Sequence, residues 1–286
     1  MKKVGLIAKK HNQEAFELAA EVGSWLNGHG VATFSLERNL DFTGEKAEQL
    51  RDSDLVLVFG GDGTMINAAK HMVDLGVPLA GINLGRVGFL LELSRHNWRE
   101  ALLNALQNGF DVEPRMVLRC DLERDGEVIC SELATNEIVI SRGGMARLIA
   151  LDLAVNGNKL LYLRADGLIV STPTGTTAYA SSAGGPLLHP SLNAYCATAI
   201  CPFLNRLQPL VLNGETVFTA KVREISPKTY LTIDGQSLSR LHGGDVINVR
   251  GVPGGLKFGL FGVGSYYSKL QSTGIVRDSP GEQAGK

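Results

Sequence analysis

Along the first hundred residues, short apolar runs alternate with longer stretches of helical spacing. Positions 4–8, 31–35, 55–59 and 78–82 are largely apolar and read as strands. Residues 12–27 place Phe16, Ala19, Ala20, Val22, Trp25 and Leu26 at the repeat of a helix. A second helix is expected over 64–75. A third, over 97–108, gathers Trp98, Ala101, Leu102, Ala105 and Leu106 on one face, with Gly109 to close it. Strand and helix in this rhythm predict an α/β domain built on a mainly parallel, doubly wound sheet.

The rhythm changes after about Pro114. Short strands are expected at 117–122, 128–130, 137–141, 148–155, 159–163, 168–171, 216–220, 230–233 and 246–249. Turn signals at Asp125-Gly126, Gly143-Gly144 and Asn156-Gly157-Asn158 separate several of them at hairpin distances. An all-β second domain follows. The expected division is 1–114, 115–255 and a last segment, 256–286, that returns to the first domain. Residues 278–286 read as a frayed tail.

Composition narrows the function classes. Twenty-eight basic residues balance 29 acidic ones, for a net charge of −1, so nothing marks the chain for nucleic acid or an anionic membrane. No apolar run approaches the roughly 18 residues that span a bilayer. Lys9-Lys10 cut short the only stretch resembling a leader, which reads better as the first strand. Cys120, Cys130, Cys196 and Cys201 lack metal-box spacing and read as reduced thiols of a cytoplasmic protein. Glycine is abundant, 34 of 286 residues against a norm of roughly 7 %, and is scattered in pairs rather than repeats. That distribution suits tight turns and close backbone–ligand approaches.

Three segments carry candidate chemistry. Gly60-Gly61-Asp62-Gly63-Thr64 follows the strand at 55–59 directly, where open α/β sheets place their ligands. Glycines there admit a phosphate to backbone N–H groups, and the expected helix adds a partial positive charge. A carboxylate in such a cradle holds Mg²⁺, takes a proton from an attacking hydroxyl, or simply caps the helix. The second segment, Arg164 to Pro186, ends a short strand at Pro173. It then offers the hydroxyls and free N–H groups of Thr174 to Thr177 at the start of a small-residue helix, with Tyr179 as a stacking face. Ligand binding and tight helix–sheet packing both fit it. In the third, Asn136-Glu137 opens a strand with a donor–acceptor beside an acceptor, which suits a sugar diol or an ordinary strand edge. No phosphate-binding G-x-x-x-x-G-K-[ST], dinucleotide G-x-G-x-x-G, nucleophile elbow or zinc motif occurs, and no residue is assigned to a metal. The histidines are scattered; His189, beside Gly184-Gly185-Pro186, is the nearest to a motif.

Together these segments resemble the bacterial NAD kinases of the ATP-NAD kinase family. The likeness rests on Gly60 to Thr64, Asn136-Glu137, Asp166-Gly167-Leu168, Thr172 to Tyr179 and Ala183 to Pro186, and it spans almost the whole chain. The first motif also resembles that of phosphofructokinases and diacylglycerol-type lipid kinases; the Thr172–Tyr179 motif is more specific. The resemblance implies a Rossmann-like N-terminal domain, a β-sandwich C-terminal domain, and homodimers or homotetramers. It implies transfer of the ATP γ-phosphoryl group to the adenosine ribose 2′-hydroxyl of NAD, with Mg²⁺ or another divalent metal. Asp62 would be the general base, with Gly61 and Gly63 at the phosphates and Asn136 and Glu137 on the ribose hydroxyls. Asp166, Thr177, Ala178, Tyr179, Ala180, Ser181 and Ser182 would line the base pockets, some reaching a neighbouring subunit. Arg147, Arg164 and Gln236 fall at further dinucleotide contacts. Thr176 stands where serine is common, and 261–267 is richer in glycine than the pattern. The rival readings are a lipid or sugar kinase with the same turn and a non-catalytic dinucleotide sensor.

Overall fold

Leu55, Val56, Leu57, Val58 and Phe59 are all fully buried, and they form the strand Leu55–Gly60 inside a parallel sheet. Each such side chain contributes roughly 1.5–3 kcal/mol on leaving water. The computed structural model describes residues 1–36, 44–73, 75–85, 88–144, 147–204, 207–224 and 228–277. The chain divides into two units, Met1–Glu113 with Lys257–Lys286, and Pro114–Leu256. The expected tail at 278–286 lies outside the described residues.

In the first unit the parallel strands run in the order Ala32–Leu36, Lys3–Ala8, Leu55–Gly60, Leu79–Asn83. Leu93–Ser94 and the end of a long strand, at Phe258, add to Leu79–Asn83. The helix Gln13–Gly28 starts where Asn12 accepts the N–H of Ala15 at 2.8 Å, a side-chain cap. Its Ala15, Leu18, Ala19, Val22 and Leu26 join Trp98, Ala101 and Leu102 of the helix Trp98–Asn108 in one core with Leu55, Leu57 and Phe59. Both helices therefore cover the same sheet face.

The helix expected at 64–75 is instead Asp62–Lys70, with Gly61 as its cap. Asp62 is thus the first helical residue, not a turn residue ahead of the helix. Gly44–Arg51 and Tyr266–Ser272 are helices without a counterpart in the sequence reading, being short and weakly periodic.

The second unit is a β-sandwich. One antiparallel sheet runs Leu210–Asn213, Ala194–Ile200, Gly167–Ser171, Glu137–Arg142, Thr229–Ile233, Ser237–Leu241. The other pairs Asn158–Ala165 with Ile149–Val155, then Val217–Val222 and the long strand Val246–Leu260. Inward residues of both, among them Ile138, Ile140, Leu168, Val170, Leu151, Phe218 and Val249, make one core. Asp125-Gly126 and Asn156-Gly157 carry positive φ at both positions (52° and 85°, 49° and 76°), as two-residue hairpin turns require. The strand Ala194–Ile200 escaped the sequence reading because Tyr195, Cys196, Ala197 and Thr198 are all buried, which erases the alternation.

Candidate functional site

The first unit holds Asp62 at the C-terminal edge of its sheet. Phe89 donates its N–H to Oδ2 at 2.8 Å, and Leu90 donates to Oδ1 at 3.1 Å. Each carboxylate oxygen thereby keeps a lone pair for another partner. A side chain at Gly88 would collide with this carboxylate, its Cβ lying 2.8 Å from Cγ. Gly61 and Gly63 are different. Neither has a positive φ, and nothing described lies within 4 Å of where their side chains would start. Among the described residues, glycine there answers neither backbone strain nor packing.

The second unit assembles Asn136 and Glu137 around Asp234, a residue the motif search passed over. Asp234 accepts the N–H groups of Thr135 at 2.7 Å, Asn136 at 2.7 Å and Glu137 at 2.9 Å. The turn carrying it, Asp234-Gly235, has φ of 49° and 67°, and the N–H of Asp234 donates to Glu137 O at 2.9 Å. Asp234-Gly235 was the available signal, a pair of the same kind as Asp125-Gly126. Gln236 itself is exposed. Glu137 is 9 % exposed, and its Oε2 is buried without a hydrogen-bond partner, as is Oδ1 of Asn136. Burial, reinforced by the Asp234 charge, pushes the Glu137 carboxyl up to about 7.

The threonine segment is built onto this pair. The N–H of Thr172 donates to Asn136 O at 2.9 Å, and its hydroxyl donates to Thr135 O at 2.7 Å. Gly175 lies against the Asn136 backbone, 2.7 Å from Cα to its would-be Cβ, so no larger residue fits. The expectation of one helix with free donors from Thr174 is corrected. Thr174–Thr177 is a single 3-10 turn, Ala178 breaks it at φ −98°, ψ −125°, and a short helix follows at Tyr179–Ser182. The hydroxyls serve the turn itself: Thr176 donates to Pro173 O at 2.6 Å and accepts from the Leu188 N–H at 3.1 Å. Thr177 donates to Thr174 O at 3.1 Å. Gly175 N–H is held by the Thr172 hydroxyl at 3.0 Å. What remains open is Tyr179, 46 % exposed, with Ser182 exposed and Thr177, Ala178 and Ser181 partly so. Ala180 is fully buried and packs on Val139 and Ile169.

Asp166 does not join Asn136 and Glu137 within one chain. Glu137 pairs with Ser171 but Ser141 with Gly167, so Asp166, five residues from Ser171, sits at the opposite strand end, roughly 17 Å away at about 3.3 Å per residue. There Arg142, also unforeseen, holds it with Nε to Oδ1 at 2.8 Å. Arg164 is exposed and lies over the Phe203 ring at 5.3 Å, and Arg147 is exposed. Among the described residues no group of three or more His, Cys, Asp or Glu could hold a metal ion.

Two family models cover most of the chain: the ATP-NAD kinase N-terminal domain matches residues 4–110 and the ATP-NAD kinase C-terminal domain residues 135–258. This chain belongs to the ATP-NAD kinase family. A curated NAD kinase from Nitratidesulfovibrio vulgaris (strain DSM 19637 / Miyazaki F) is 43 % identical over 278 residues, covering 97 % of this chain and 98 % of the relative. One from Oleidesulfovibrio alaskensis is 40 % identical over 281 residues, covering 98 % and 96 %. Among solved structures, an NAD kinase from Archaeoglobus fulgidus in complex with ATP superposes with a TM-score of 0.72 at 25 % identity, covering 95 % of this chain and 99 % of that one. Yeast NADH kinase complexed with NADH gives 0.82 at 24 % identity, covering 94 % and 86 %, a likeness of fold. The family's N-terminal model contains Asp62 and the Gly88–Leu90 loop that holds it. Its C-terminal model contains Asn136, Glu137, the threonine segment and Asp234.

Proposed function

We propose that this chain is an NAD kinase that moves the γ-phosphoryl group of ATP to the 2′-hydroxyl of the adenosine ribose of NAD, giving NADP⁺ and ADP, with Asp62 as general base. Full-length similarity to curated NAD kinases supports the activity. The observation that carries the role of Asp62 is its carboxylate, fixed by two backbone amides beside glycines that leave open room. In this reading one oxygen of Asp62 accepts the hydroxyl proton as the ribose oxygen bonds to phosphorus and the bond to ADP breaks. The helix that opens at Asp62 leaves its first N–H groups to face the phosphates.

Asn136 and Glu137 take the ribose hydroxyls, since their unpartnered oxygens gain donors only when a ligand arrives. Tyr179 and its neighbours Thr177, Ala178, Ala180, Ser181 and Ser182 receive a base, with Arg147, Arg164 and Gln236 as outer contacts. A divalent metal such as Mg²⁺ neutralises phosphate charge when bound. The donor set fits a cation carried mainly by the nucleotide phosphates and water, because the described residues offer scattered carboxylates rather than a cage. Asp166 serves a ligand held by a second copy, which makes the working enzyme a homodimer or homotetramer; its distance from Asn136 along the strands supports this. Four unpaired cysteines suit a cytoplasmic enzyme.

The test offers labelled ATP with NAD, diacylglycerol or fructose 6-phosphate to the pure protein. Label in NADP⁺ alone supports the reading. Label in a lipid or sugar contradicts it, and binding of NAD without any transfer points to a sensor.

A further inference from the structure

The loop that grips Asp62 is itself gripped, from a part of the chain about 180 residues away in sequence. Phe89 supplies one of the two amides on the carboxylate. Its ring meets Tyr266 edge-on at 5.6 Å between centroids, and its carbonyl accepts from Nζ of Lys269 at 3.4 Å. Both residues belong to the helix Tyr266–Ser272, which Ser265 caps reciprocally with Ser268. Three residues past Phe89, Glu92 ties the loop to the chain leading into that helix. Its Oε2 accepts the N–H of Phe261 at 2.8 Å and its Oε1 that of Val263 at 3.2 Å. Leu90 and Leu91 anchor the middle, 7 % and 4 % exposed.

We infer that the helix Tyr266–Ser272 positions the general base: Lys269 holds the carbonyl of the Phe89–Leu90 peptide, Tyr266 holds the Phe89 ring, and the amides of Phe89 and Leu90 orient the Asp62 carboxylate. Lys269 and Tyr266 are positioning residues, since they act on Asp62 through Phe89 and Leu90. The physical case is one of rigidity. An amide donor fixes a carboxylate only as well as its own peptide plane is fixed. The Phe89 peptide lies in a loop where Gly88 contributes no side chain to hold it. The Phe89 carbonyl shares a peptide plane with the Leu90 N–H on Oδ1, so the Lys269 ammonium braces that amide, while the Tyr266 edge holds the ring of the residue whose N–H meets Oδ2. Catalytic groups lose rate steeply when displaced by about an ångström, so a brace remote from the substrate is felt in turnover rather than in affinity. This inference rests on the reading of Asp62 as the base.

The experiment is a double-mutant cycle on the full chain, with kcat and the KM values for NAD and ATP measured alongside Tm. The variants are Lys269→Met, Lys269→Arg, Tyr266→Leu, Asp62→Asn and the pair Asp62→Asn/Lys269→Met. Lys269→Met is expected to lower kcat about three- to tenfold with both KM values within about twofold. Lys269→Arg, which keeps a donor, is expected to recover most of that loss. In the Asp62→Asn background, removing Lys269 costs nothing further, because its effect passes through the carboxylate already lost. If the two losses multiply, or if Lys269→Met and Tyr266→Leu both turn over like the parent, the inference is overturned while the base assignment stands. If Asp62→Asn itself turns over like the parent, the base assignment fails and takes the inference with it. A variant with a collapsed Tm is replaced in the cycle by Tyr266→Leu, read by the same criterion.

Discussion

Asp62 in the first unit and Glu137 in the second are both acids assigned to the proposed reaction, yet the chain surrounds them in opposite ways. Asp62 is partly exposed and has a backbone amide on each oxygen. Glu137 is buried, leaves one oxygen unpartnered, and sits near a second carboxylate, that of Asp234, which takes the amides of Thr135, Asn136 and Glu137. The contrast teaches that the amides go to the side chain that must keep one orientation. In the second unit that is the scaffold residue Asp234, not the side chain proposed to meet the ligand. A proton-accepting group needs its geometry fixed beforehand; a ligand-holding group can wait, unsatisfied, for the ligand to complete it.

Several substitutions break or sharpen this comparison. Among residues other than Asp62, the largest effect is expected from Gly88→Ala, which drives a methyl into the Asp62 carboxylate; kcat should drop about 100-fold in a coupled NADP⁺ assay with NAD affinity kept. Next comes Asp234→Ala, which strips three backbone amides of their acceptor at once. Denaturant unfolding should show a loss of about 3 kcal/mol, and KM for NAD should rise about tenfold as Asn136 and Glu137 lose their frame.

Glu137→Gln tests the other side of the comparison through pH. The folded carboxyl titrates at about 7 against 4.5 ordinarily, so between those values the folded chain holds a proton that the unfolded chain has released. Stability therefore falls as pH rises through that window, reaching a cost of about 3 kcal/mol above it and none below. The Gln variant should gain about that much stability at pH 8, gain nothing at pH 4, and bind NAD more weakly. A gain that is the same at both pH values would show that the carboxyl is not held neutral by burial.

The smallest effect concerns assembly. Mixing inactive Asp62→Asn with Asp166→Ala subunits should restore a fraction of activity, up to about a quarter for randomly paired dimers in which one site draws both intact groups. No recovery after subunit exchange would place Asp166 in service of its own chain.

Much of the fold was legible because its signals are local. The run at 55–59, the capped helix after Asn12 and the two hairpin turns each announce themselves within a few residues. The site was legible only as far as motifs reach. Asp62, Asn136-Glu137 and the threonine segment stand out as residue patterns. Their holders do not, because Phe89, Asp234 and Lys269 act across separations of 27, 97–99 and 180 residues. The threonine hydroxyls taught the reverse lesson: a cluster of polar side chains looks available in sequence, yet Thr172 and Thr176 spend theirs holding the turn together. The helix Gly44–Arg51 lacked an apolar stripe to reveal it.

The central claim is most directly tested by single-turnover kinetics of Asp62→Asn with NAD and ATP, beside NAD binding measured by calorimetry. The account predicts phosphoryl transfer slowed by about 10²–10⁴-fold with NAD affinity within a few fold of the parent. Transfer at the parental rate, with NAD bound equally well, would contradict it.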